Sequence, residues 1–177
     1  MSDAPQYLLH FSEDATITRF EPQPASGQPG GEAFVWAIAP DRAALYLFPR
    51  ECPRIGYWAT PKTSASDRYR FLSQTDAKRV VVVESGWIGK LCDCKLFAYR
   101  LPSDLFLPTG MDGYYTSKVP VVPESVRPVG DLLEAVTAED TELRITPSLW
   151  TLHDAIQDST LHFSMLRMRN ASPRQAK

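Results

Sequence analysis

No apolar run in this 177-residue chain approaches the roughly 20 residues that a membrane-spanning helix needs. The opening MSDAPQ has no basic start followed by an apolar stretch, so no secretory leader is expected. Cysteine is scarce: three residues cannot all pair within one chain, and a reduced, cytoplasmic protein is the simplest reading. Basic surplus is lacking too. Nineteen Lys and Arg stand against 21 Asp and Glu, a formal net charge of −2, which argues against a broad basic surface for nucleic acid and leaves a local basic pocket open. There is no P-loop, no G-x-G-x-x-G, no G-x-S-x-G and no H-E-x-x-H, which removes the commonest nucleotide-binding and hydrolase signatures. Cys92 and Cys94 form C-x-C, shorter than the usual zinc spacing, so no metal is expected.

What the chain does have is proline, 15 residues of it, which implies many short elements with sharp connections. The length fits one domain over residues 1–177, with a Pro/Gly-rich surface loop at 22–32 and a frayed polar tail at 171–177. Strands are expected at 7–11, 33–38, 54–59, 79–84, 95–101, 114–117, 126–129 and 142–145. The unbroken valines of RVVVVE, residues 79–84, suggest a strand buried on both faces. Helices are expected at 41–48, 67–72 and 131–138, the last capped by Asp131, and after Thr146-Pro147-Ser148, with Thr146 as cap. Residues 160–168 read equally as helix or strand. Strands outnumber helices and do not alternate with them, so the fold class is α+β, with mixed or antiparallel sheets and a few short helices.

Several side chains stand where chemistry needs them. His10 and Ser12 end the first apolar strand, where an imidazole and a hydroxyl can hold a ribose; the bland alternative is a structural histidine and a turn-capping serine. Arg50 and Arg54 flank Cys52-Pro53 in the stiff loop FPRECPR and are candidates to clamp a phosphate or carboxylate; the alternative is a solvated pair, or salt bridges to acids such as Glu51. Tyr46, Tyr57, Trp58, Tyr114 and Tyr115 are candidates to stack on a flat ring, or are core. Glu84 ends the valine strand and is the candidate general base or sugar-hydroxyl acceptor, unless it serves the turn Ser85-Gly86. Trp150 and His153 widen the apolar face of the last helix. With the strand at Tyr114, that helix would form a protein-binding face, such as a homodimer contact.

The phrases HFSED, VWAIAPDRAALYLFPRECPR, GYYTSKVPVVP and TPSLWTLHDAI resemble a family of uncharacterised bacterial proteins, a domain of unknown function, over nearly the whole chain. More distantly, the layout is similar to the ADP-ribosyltransferase fold. That resemblance implies an NAD ribose held by His10 and an aromatic, Tyr46, near the nicotinamide. It also implies a carboxylate in YYTSKVPVVP, where Tyr115 stands instead. Glu84 or Glu124 would have to replace it, because a developing ribosyl cation needs a fixed negative partner. The expected ligand is thus nucleotide-like, NAD among the candidates, in a cleft lined by His10, Ser12, Tyr46, Arg50, Arg54 and Tyr115. The expected enzyme class, if any, is transferase-like without a clear catalytic glutamate. The alternative is a non-enzymatic interaction module.

Overall fold

The computed structural model describes residues 5–24 and 31–174. In chain order the strands and α-helices are β1 (Tyr7–Ser12), β2 (Gln23–Pro24), β3 (Ala33–Ile38), β4 (Arg54–Trp58), α1 (Ala65–Leu72), β5 (Arg79–Glu84), α2 (Ile88–Asp93), β6 (Phe97–Pro102), β7 (Leu107–Pro108), β8 (Tyr114–Ser117), β9 (Ser125–Pro128), α3 (Leu132–Ala138), β10 (Thr141–Thr146), α4 (Trp150–Gln157) and β11 (His162–Leu166). The architecture is α+β, as the sequence pattern predicts. The elements gather into two compact units, Met1–Leu47 with Lys95–Gly130, and Phe48–Cys94 with Asp131–Lys177.

The first unit is built on a seven-stranded sheet ordered β7-β8-β3-β1-β6-β9, with β2 pairing to β3; its pairings are antiparallel. Alternation explains its core. On β6, Tyr99 and Leu101 point inward beside Phe97, while Arg100 is exposed. Leu8, Val35, Ala37, Phe106, Phe20 and Val121 complete the cluster. The β7–β8 turn needs glycine. Gly113 has φ +79°, and a Cβ there would stand 2.6 Å from the Arg42 side chain. That buried arginine is ion-paired to Asp112 of the same turn.

The second unit is built on a four-stranded sheet ordered β10-β5-β4-β11. Its β10–β5 pair is parallel and the others are antiparallel. Val80 to Val83 are all buried, as the unbroken valine run predicts. Val80 and Val82 face a cluster with Ile55, Tyr57, Phe71, Leu149, Ile156 and Leu161, so one face of the sheet is packed by α1 and α4.

Two expectations change. The helix predicted at 41–48 is a short 3-10 helix, Pro40–Leu45; Pro49 lies close behind it and its cap, Ala39, offers no side-chain acceptor. Thr146 does not cap the last helix. It ends β10 and donates to the Ser148 carbonyl, and α4 starts only at Trp150, because the Leu149 N–H is taken by Glu84. Cys92 lies in α2 and Cys94 follows its end. The ambiguous stretch resolves as β11, and Asp131 caps α3 by accepting from the Leu133 and Glu134 N–H groups. Residues 25–30 of the Pro/Gly-rich loop lie outside the described residues, as do 175–177 of the tail. Ser172 and Arg174, expected in the frayed tail, are held by hydrogen bonds.

Candidate functional site

The residues expected to share one cleft divide between the units: His10, Ser12, Tyr46 and Tyr115 in the first, Arg50 and Arg54 in the second, which also holds the candidate base Glu84. In the first unit β1 pairs with β6 over six residues but registers with β3 at one pair, Leu9↔Ile38. Just beyond it, His10 Nδ1 lies 2.8 Å from the Trp36 carbonyl oxygen. A carbonyl can only accept, so Nδ1 carries the proton. The imidazole also packs at 4.7 Å against Phe20, whose ring meets Tyr99 edge-on. Ser12 Oγ accepts from the Asp14 N–H, which is the turn-capping geometry. The Asp14 carboxylate accepts from the hydroxyl and N–H of Thr16, bonds that hold its pKa below the usual range. Tyr99 donates its hydroxyl to the Asp14 carbonyl and accepts from Ile17 N–H, fixing the same loop. Tyr46 meets Tyr114 edge-on at 6.2 Å, while Tyr115 packs on the core.

In the second unit, Arg50 is exposed and its carbonyl accepts from Arg167. Arg54 is inside: 4% exposed, donating to the Cys52 carbonyl at 2.8 Å, with its guanidinium 5.2 Å from the Phe48 ring. Glu51 is paired with Arg169 and Arg167 and bonded to Asn170. Burial pushes the Cys52 thiol up to about 11, which keeps it protonated and unreactive at neutral pH.

Glu84 is 2% exposed. One of its oxygens accepts from Leu149 N–H at 3.1 Å; the other accepts from the N–H and hydroxyl of Ser172, both at 2.9 Å. The same C-terminal segment takes the Trp150 indole N–H on the Ser172 carbonyl and lays Arg174 over the Trp150 ring. Arg174 also grips Asp154 with two bonds, and with the His153 hydrogen bond this holds the Asp154 carboxyl down to about 2. So Glu84 and Trp150, read from the sequence as a catalytic carboxylate and a partner surface, both contact a C-terminal strap.

A concave site lies elsewhere in this unit. A cavity of about 640 Å³, widely open to solvent, runs beside α4, lined by Tyr57, Val82, Arg144, Ile145, Thr146, Pro147, Ser148, Thr151, Leu152 and Ala155. Strand geometry places its polar floor. Tyr57 pairs with Val80, Glu142 also pairs with Val80, and Arg144 pairs with Val82, so these side chains share the face that α4 covers. Arg144 Nε and Nη2 bind Glu142, at 2.7 and 3.4 Å, and Nη1 donates to the Tyr57 hydroxyl at 3.0 Å. The Glu142 carboxyl is pulled down chiefly by that hydrogen bond, while burial pushes the Tyr57 phenol up. The sequence signal for this floor was TELRIT, whose alternation sets an acid and a base two residues apart on one strand face. It is easily passed over beside the arginines of FPRECPR.

Among the described residues, no cluster of three or more His, Cys, Asp or Glu side chains suits a metal ion, and no helix is long and apolar enough to cross a membrane. The model of a family of unknown function (DUF6886) matches residues 9–171. No curated protein and no solved structure matches the chain. With nearly its whole length inside that match, the chain belongs to the DUF6886 family.

Proposed function

We propose that the protein binds a small nucleotide-like organic anion in the cavity beside α4. The observation that carries this reading is the donor set on the cavity floor. A guanidinium has five N–H donors. Arg144 directs three bonds to Glu142 and Tyr57, which leaves two donors for a ligand. The Tyr57 oxygen accepts from Arg144, and its own hydrogen has no acceptor among the described residues. Tyr57 is 1% exposed, and burial keeps the phenol protonated at neutral pH. Two N–H groups and a phenol O–H together suit a carboxylate or phosphate.

The walls supply the rest. Val82, Pro147, Leu152 and Ala155 give an apolar side for a flat ring, and Ser148 and Thr151 give hydroxyls for a sugar. A volume near 640 Å³ falls within the usual span of about 300–1,000 Å³ for ligand sites. A flat ring, a sugar and an anion together describe a nucleotide, so NAD and ADP-ribose are the first ligands to try.

Thermal unfolding with NAD, ADP-ribose and AMP tests it. Saturating ligand is expected to raise Tm, and Tyr57→Phe and Arg144→Gln are each expected to abolish the rise. No shift with any of the three would contradict the reading. A shift lost in His10→Ala yet kept in Arg144→Gln would move the ligand to the first unit and overturn the assignment of this cavity.

A further inference from the structure

Helix α1 presents a surface unlike the cavity. Its cap is Ser64, whose hydroxyl accepts from the Asp67 N–H, and its buried residue is Phe71. Tyr69 points away from the core and is 77% exposed. Arg68 and Arg70, also exposed, lie about 100° to either side of it around the helix. Lys62, exposed in the preceding turn, adds a third cation near the start of the helix. The acid in their midst is turned elsewhere: Asp67 accepts from the N–H and hydroxyl of Thr160, at 2.8 and 2.6 Å, and from the Ser64 hydroxyl at 3.0 Å. Residues 62–70 hold three bases and one acid, a surplus of two in a chain whose net charge is −2.

We infer that this face binds single-stranded nucleic acid, with a base stacked on Tyr69 and neighbouring phosphates held by Lys62, Arg68 and Arg70. The charge excess selects a polyanion. The exposed phenol between the arginines selects one with flat faces to offer, which an acidic peptide lacks. A duplex keeps its base faces stacked, whereas an unpaired strand presents them to an aromatic ring, and such stacking tolerates any base. The rest of the chain is net negative, so contact is confined to a few phosphates and is sensitive to salt.

Fluorescence anisotropy of a labelled oligothymidylate tests this, and it needs no ligand in the cavity beside α4. Three phosphate contacts imply that a fourfold rise in salt weakens binding roughly 15- to 20-fold, from a slope of about −0.7 per phosphate. Tyr69→Ala is expected to weaken binding about tenfold, and Tyr69→Phe to keep it. Arg68→Gln with Arg70→Gln is expected to lower both affinity and salt slope. All four side chains are exposed, and circular dichroism checks that each variant is folded. No binding at low salt would overturn the inference, as would a Tyr69→Ala protein that binds like the wild type. Displacement by polyglutamate as readily as by unlabelled oligonucleotide would overturn it too.

Discussion

In the first unit, Ser12, Asp14 and Tyr99 direct their polar groups to the backbone of one loop, and His10 bonds a neighbouring strand's carbonyl. In the second, Arg144 and Tyr57 hold each other at the lining of a cavity. The contrast teaches that a polar residue at the end of an apolar strand is weak evidence for a ligand. What counts is the number of donors and acceptors a side chain has after its neighbours are satisfied. Glu84 makes the point from within the second unit: it sits at a strand end, yet both oxygens accept from protein donors.

Glu84→Ala is expected to have the largest effect on stability, about 3 kcal/mol by urea unfolding, because it leaves Leu149 and Ser172 donors without their acceptor. A loss under about 1 kcal/mol would mean that the strap does not depend on that carboxylate. Gly113→Ala in the first unit comes next, at about 2 kcal/mol, from a left-handed backbone and a Cβ crowded by Arg42. A smaller loss is expected from Asp131→Ala, about 1 kcal/mol for the α3 cap. Ser12→Ala is expected to cost about half of that, and a cost as large as that of Glu84→Ala would erase the distinction drawn between the units. The smallest effect is a pH dependence. Asp154 is held at about 2 against an ordinary 3.8, so its contribution is present above pH 4 and lost as pH falls from there toward 2. Asp154→Asn is expected to flatten the acid limb of the stability curve over that interval, and an unchanged limb would contradict it.

Much of the fold was legible in the residues. Alternation on 97–101 and the unbroken valines of 80–83 fixed which strands face water on one side and which are buried on both. Local chemistry also served at Asp131, where a carboxylate precedes an apolar helix. It misled at Thr146, because the competing bond to Leu149 comes from Glu84, 65 residues earlier. The α2 helix was missed because it is only six residues long and Gly89 weakens its signal, while packing of the buried Leu91 holds it. For the cavity, the Glu142–Arg144 pair was visible as a pattern on β10. Its partner Tyr57 was not, since cross-strand register sets that contact over 87 residues. Long-range polar contacts of this kind leave little trace in local sequence.

The central claim, an anion site centred on Arg144, is tested most directly by calorimetric titration of ADP-ribose into the wild type and Arg144→Lys. Lysine keeps the charge but loses the planar pair of donors. Saturable one-to-one binding is expected for the wild type, and at least tenfold weaker binding for the variant. Equal affinities, or no heat with the wild-type protein, would contradict it.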